Sequence, residues 1–142
     1  MVDAAETDYA WAAGFIDGEG SIMITHNDGP TRKNTNYQLR MAVPNSDRQS
    51  VEEIFRIFSV GGIISTKTTK GHKLSHVWQL AGNRSISAIL EKVLPYLRVK
   101  RERALLALEF VKLPKSTGGR TVKKEWMDER KNYYERMRKL NE

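Results

Sequence analysis

The sequence predicts an α+β fold of order α-ββ-α-ββ-α, with a four-stranded antiparallel sheet, helices on one of its faces and extra helices toward the C-terminal end. Three observations predict it. Apolar residues recur with period two in four short segments and with helical spacing in the segments between them. Each pair of period-two segments is joined by a stretch containing turn formers, Asp28-Gly29-Pro30 in the first and Lys70-Gly71-His72-Lys73 in the second. The 142 residues are the size of one ordinary domain, so 1–142 is read as one unit, with a core at about 7–113 and a helical extension at about 120–142.

Thr7 or Asp8 can cap a first helix through Tyr9, Trp11, Ala12, Ala13, Phe15 and Ile16, ended by Gly18 and Gly20. From Ser21 the period becomes two, with Ile22 and Ile24 on one face of a strand over 21–27. A second strand over 36–43 turns Tyr37, Leu39, Met41 and Val43 to the same side, and Pro44 is expected to close it. Ser46 with Gln49 reads as a capping box for a helix burying Val51, Ile54, Phe55 and Phe58, stopped by Gly61-Gly62. Residues 63–69 and 74–80 form the second hairpin, with Trp78 and Leu80 inward. Ile86, Ile89, Leu90 and Val93 mark a helix over 85–94, interrupted by Pro95. A further helix over 100–113 is expected to turn Ala104, Leu105, Leu108 and Val111 inward. The last, about 122–140, carries Trp126, Tyr133, Met137 and Leu140 at helical spacings among many bases.

Composition narrows the function. Lys and Arg number 24 against 17 Asp and Glu, a net charge of +7 that favours a polyanionic partner. With no cysteine there is no disulfide framework, thiolate zinc site or cysteine nucleophile. No apolar run approaches the ~18 residues of a membrane span and no export signal opens the chain, so an intracellular setting, cytoplasm or organelle, is expected. The charge is lopsided: residues 1–20 hold five acids and no Lys or Arg. An acidic segment in a basic protein can hold a divalent cation beside phosphates. Asp3, Glu6 and Asp8 can equally be complements to a helix N-terminus.

The sheet face opposite the isoleucines is expected to carry Ser21, Met23, Thr25, Asn27, Asn36, Gln38, Arg40, Ser65, Lys67, Thr69, Ser75 and Gln79, with Arg32 and Lys33 in the first hairpin loop. Donors, acceptors and positive charges without bulk suit the major groove of double-stranded DNA, which admits a β-ribbon. An antiparallel sheet can also leave such a face in water. At the end of the first helix, Asp17 and Glu19 meet an unfavourable dipole, and at a spacing of two they diverge by about 200°. One can brace the fold while the other holds Mg²⁺, which takes few carboxylates and accepts phosphate oxygens. Exposed acids beside a glycine stop are the plain alternative. Ala10 and Gly14, with Ala13 adjacent, form a small-residue stripe on that helix. It suits either the chain's own sheet or the same helix of a second copy across a two-fold axis.

Trp11-Ala12-Ala13-Gly14-Phe15-Ile16-Asp17-Gly18-Glu19-Gly20-Ser21 resembles the signature helix of the LAGLIDADG homing endonucleases, with Ala12–Gly20 matching or conservatively varying the motif. The α-ββ-α-ββ-α order is that family's core as well. A second signature helix is absent, so the resemblance implies the single-motif form, which acts as a homodimer with two sheets saddling DNA. It implies that Glu19 binds the catalytic metal, Mg²⁺ or Mn²⁺, with the Gly18 carbonyl beside it and Asp17 structural. Glu19 stands where many relatives have a shorter Asp. The resemblance puts Asn45 near a polar residue that positions water, and Lys100 at the basic residue beside the scissile phosphate. Arg48 is a second candidate base, or a solvated charge on a helix face.

The implied reaction is in-line, metal-dependent hydrolysis of both strands of a long, near-palindromic DNA target, with a staggered cut and no covalent intermediate. Competing readings on the same scaffold are an RNA maturase acting on its host intron RNA, a DNA-binding regulator that does not cut, or a basic RNA-binding module. His72 and His76, about 13 Å apart on an extended strand, are not expected to share a metal, and they and His26 are read as structural residues or incidental DNA contacts.

Overall fold

The two periodicities build two layers. The structure is a computed structural model and describes residues 5–27, 36–67, 74–114 and 124–142. In chain order the elements are α1 (Glu6–Glu19), β1 (Ser21–Asn27), β2 (Asn36–Asn45), α2 (Arg48–Phe58), β3 (Gly62–Lys67), β4 (Leu74–Ala81), α3 (Asn83–Val93), a 3₁₀ turn at Leu94–Tyr96, α4 (Arg101–Phe110) and α5 (Lys124–Leu140). All strand pairs are antiparallel, in the order β1-β2-β4-β3. Ile22, Ile24, Leu39, Met41, Val43 and Trp78 are buried beneath the helices, together with Ala12, Ala13 and Ile16 of α1 and Ile86, Ile89, Leu90 and Val93 of α3.

Several boundaries and faces differ from the sequence expectation. Pro44 does not close β2, which runs on to Asn45. β1 begins opposite Ala42, so at Pro44 only β4 pairs with β2, and a missing N–H is tolerated on a free side. Helix α2 is capped by Asp47 rather than by a Ser46 box, and Ser50 Oγ donates to Asp47 Oδ2 at 2.6 Å. Ile57, three residues after Ile54, takes the inward place given to Phe55, which is 41% exposed. Phe58 does pack on Trp78, ring centroids 5.7 Å apart. Helix α4 buries Ala104, Leu106, Ala107 and Phe110, leaving Leu105 exposed and Leu108 and Val111 half-buried. Packing against α3, α5 and β1 rotates its inward arc toward the alanines.

Helix α5 joins this core through Met137 and covers the free edge of β1. There Asn141 Nδ2 donates to the Ile22 carbonyl at 2.9 Å, and Arg103 holds Asn141 Oδ1 at 2.7 Å and the Leu140 carbonyl at 2.5 Å. A covering helix and an occupied edge carbonyl blunt that edge against pairing with another strand. His26 lies in an aromatic group with Tyr37 and Tyr134, 4.9 Å from the latter ring. No helix among the described residues is long and apolar enough to cross a membrane.

The turn into β3 depends on Gly61. Its φ of +94° is a left-handed conformation, and a Cβ there would lie 2.7 Å from both the Gln79 carbonyl and Trp78 Nε1. Trp78 Nε1 in turn donates to the Val60 carbonyl at 2.9 Å. Gly61→Ala is therefore expected to destabilise the protein by about 1–3 kcal/mol, read as a lower urea midpoint with an unchanged slope; a midpoint within error of wild type would contradict this account of the turn.

Candidate active site at the end of the first helix

Helix α1 does not unwind at Gly18 but continues to Glu19, and Gly20 N–H closes on the Ile16 carbonyl at 2.9 Å. Position 20 is tight: a Cβ there would meet Ile16 Cα and O at 3.0 Å. The two acids are separated as their spacing requires. Asp17 turns to the segment before α4, where Oδ2 accepts the Arg98 N–H at 2.8 Å and Oδ1 accepts those of Val99 and Lys100 at 3.1 and 2.9 Å. Burial pushes this carboxyl up, but the N–H groups of Arg98, Lys100 and Val99, with the Lys100 ammonium, outweigh it and hold the acid below its ordinary range. Asp17 thus sits at the positive end of α4, which offsets its position at the negative end of α1.

Glu19 is exposed and forms no hydrogen bond or ion pair among the described residues. Lys100 stands beside it: Nζ donates to the Asp17 carbonyl at 2.6 Å and is close enough to feel the charges of both Asp17 and Glu19. Burial, and then repulsion from Arg103, push the Lys100 ammonium down, while those two carboxylates oppose the shift. Of the neighbouring bases, Arg101 donates to the Leu94 carbonyl at 2.8 Å and Arg98 is exposed, so Lys100 is the one drawn to the end of α1. Gly18 is exposed, a Cβ there would face open space, and its carbonyl lies in the last turn, where helix carbonyls lack helical donors.

Asn45 and Arg48 are not brought into contact with Glu19. Asn45 Oδ1 accepts the Asp47 N–H at 2.8 Å, so this side chain braces the turn into α2. Arg48 Nε pairs with Glu52 at 2.7 Å and Nη1 donates to Ser65 Oγ at 3.0 Å, which in turn bonds His76 Nδ1 at 2.6 Å. Among the described residues no group of three or more His, Cys, Asp or Glu side chains converges as a cation site. One chain therefore offers a lone carboxylate and a carbonyl at this helix end. Such a set fits a hard cation that keeps waters and accepts phosphate oxygens, and does not fit a closed all-protein cage.

Pairing register fixes the second face of the sheet. It carries Ser21, Met23, Thr25 and Asn27 on β1, Asn36, Gln38, Arg40, Ala42 and Pro44 on β2, and Ser75, Val77, Gln79 and Ala81 on β4. None of them is buried. From β3 this face receives Gly62, Ile64 and Thr66, which pair with Gln79, Val77 and Ser75. Ser65 and Lys67, expected here, are instead on the helix-bearing side, opposite His76 and Leu74. The parity slipped because Ile63 and Ile64 are both apolar, and it is the pairing of Ile63 with Trp78 that selects the inward one. Ile64 and Thr66 are the face residues that sequence reasoning missed. Arg32, Lys33 and Thr69 lie outside the described residues.

On α1, Ala10, Gly14 and Gly18 recur every four residues and are exposed, beside Trp11 at 42% exposure. Ala13, expected in the same stripe, is fully buried with Ala12 and Ile16 in the chain's own core and is unavailable to a second copy.

The sequence profile described as LAGLIDADG endonuclease matches residues 12–112. The DNA endonuclease I-CvuI of Chlorella vulgaris is 31% identical over 108 residues, an alignment spanning 73% of this chain and 63% of that protein's length. The fold is similar to the homing endonuclease I-CvuI solved in complex with the I-CreI target in the presence of Mg, with a TM-score of 0.78 and 22% identity over 95% of this chain and 82% of that one. It is also similar to the archaeal intron-encoded homing endonuclease I-Vdi141I complexed with DNA, at a TM-score of 0.78 and 15% identity over 96% and 86% of the two chains.

Asp17 gives this arrangement a pH signature. A carboxyl held below its unfolded value contributes stability that is fully present above that value, near 3.8, and is lost as pH falls through the lower folded value. Asp17→Asn is expected to lower stability at pH 7 by about 2 kcal/mol, the scale of hydrogen bonds to a charged group on a half-buried side chain. The gap from wild type should narrow below about pH 4 in urea titrations. A gap independent of pH from 7 to 3 would contradict the assignment.

Proposed function

Because the chain belongs to the LAGLIDADG endonuclease family, we propose that it is a site-specific homing endonuclease making a staggered double-strand cut in a long, near-palindromic DNA target. The observation that carries this reading is the separation of the motif acids, with Asp17 committed to the backbone of 98–100 and Glu19 free beside Lys100. Two residues after Glu19, β1 opens the unburied sheet face, so cutting and reading belong to one continuous surface.

Glu19 and the Gly18 carbonyl would hold Mg²⁺ or Mn²⁺, which when bound supplies Lewis-acid polarisation of the phosphate and a more acidic attacking water. Glu19 spends its charge on that cation rather than on any group of the fold. The lone carboxylate is completed by DNA phosphate oxygens and by a second copy. Lys100, fixed by its bond to the Asp17 carbonyl, presents a positive charge to the phosphate as charge accumulates on it. Asn45 keeps its amide N–H₂ to order water, its Oδ1 being held by the Asp47 N–H. Arg48, engaged by Glu52 and Ser65, stands outside the reacting set.

Two copies meeting along Ala10, Gly14 and Gly18 would bring two Glu19 carboxylates to a common axis, one for each strand, and repeat the sheet face on both half-sites. Glu19→Gln is expected to leave the thermal midpoint and duplex binding unchanged while cleavage of a plasmid bearing the target falls at least a thousandfold; near-wild-type cutting by that variant in Mg²⁺ removes Glu19 from its role. Gly14→Arg, at a site with nothing within 4 Å in the protomer, is expected to fold normally yet sediment as a single copy and lose double-strand cutting. A variant that still sediments as a pair would move the interface elsewhere.

A further inference from the structure

We propose that Arg40, held in place by Gln79, presents the pair of donors that selects a guanine in each half of the DNA target. The inference deepens the nuclease reading and rests on it. Arg40 of β2 and Gln79 of β4 are diagonal neighbours on the unburied face, and Arg40 Nη2 donates to Gln79 Oε1 at 3.1 Å. Three of their four register partners are small: Gln79 lies opposite Ala42 on one side and Gly62 on the other, and Arg40 lies opposite Ala81, with Met23 as its other partner. The two long side chains therefore stand above their neighbours, at a cleft of about 290 Å³ lined by Arg40, Gly61, Gly62, Gln79, Leu80 and Ala81. No carboxylate pairs with either residue in the sheet register.

The bond between them changes what glutamine can read. A free glutamine amide recognises adenine by accepting from N6 and donating to N7. Here one of the two lone pairs of Oε1 is taken by the guanidinium, which biases the Gln79 amide toward its N–H₂ donors, and Arg40 has only donors by nature. In the major groove guanine alone places two acceptors, N7 and O6, side by side on one base; adenine adds a donor to its N7, thymine a methyl to its O4, and cytosine offers a donor. A preset pair of donors is complementary to guanine and mismatched to adenine. The hydrogen bond also holds Arg40 in place before DNA arrives, which reduces the side-chain entropy lost on binding.

The test is selection of duplexes from a fully randomised library by the whole chain without divalent metal, so that nothing is cut. Wild type is expected to enrich sites with a guanine at one position of each half, and replacing that base by 7-deazaguanine should weaken binding about tenfold, the scale of one good base contact. Arg40→Ala, at an exposed position, should bind both duplexes equally. Gln79→Glu, which turns the unit into an acceptor–donor pair, should shift the preferred base from guanine toward cytosine. Enriched sites without that guanine, or a 7-deazaguanine effect that persists in Arg40→Ala, would overturn the proposal while leaving the nuclease reading intact. Failure to enrich any duplex would overturn the nuclease reading itself, and this inference with it.

Discussion

The whole site depends on one carboxylate accepting three consecutive backbone N–H groups. Asp17 sits where α1 ends, and its partners Arg98, Val99 and Lys100 sit where α4 begins, more than eighty residues later in the chain. Each helix end has an electrostatic deficit that the other meets: orphan N–H groups and a positive dipole end on α4, an anion on α1. The Lys100 ammonium completes the exchange by capping the Asp17 carbonyl. The consequence for chemistry is that Lys100 cannot drift from the end of α1, and that the second motif acid is released from any structural duty.

The acidic opening of this basic chain is resolved in the same way, residue by residue. Glu6 accepts the Tyr96 hydroxyl at 2.6 Å, Asp8 pairs with Arg56 at 3.2 Å, and Asp17 is absorbed by the backbone. Glu19 is what remains among the described acids of this segment. A surface glutamate without a partner is ordinary by itself; one at the negative end of a helix, near a partly desolvated lysine, stands in a field that favours a cation.

The sequence was readable where side-chain periodicity and motif spacing have one solution. Ile22 and Ile24 against Ser21, Met23 and Thr25 admit a single face assignment for β1, and the register with β2 bears it out. The Asp17–Glu19 spacing forces divergence on any helix, so a division of roles could be read before the partners were known. It was not readable where two solutions are equally apolar or equally small. Ile63 and Ile64 gave no parity for β3, and the outcome was set by the Gly61 turn and by Trp78, both tertiary facts. Ala13 is as compatible with a core as with a subunit contact, and its burial follows from α1 lying over β2 and α3. Ala104 was read as inward and is buried, but alanine at 107 carries too little hydrophobic signal to reveal the rest of the inward arc of α4, which Phe110 shares.

These misplacements bear on how the unburied sheet face works. With Ser65 and Lys67 on the helix side, the charge expected on this face from β3 is replaced by Ile64 and Thr66, and Pro44, Val77 and Ile64 form an apolar row across β2, β4 and β3. Among the face residues that the structure describes, Arg40 alone carries a positive charge. A face with one cation and many neutral polar or small groups is poorly suited to holding polyanions indiscriminately, because nonspecific affinity scales with the number of phosphates neutralised. It is suited to reading base edges, where hydrogen-bond complementarity and a place for a thymine methyl decide between sequences. On the proposed function, affinity for the DNA backbone would come from the basic residues outside this face, so that binding strength and base selection would reside in different parts of one small chain.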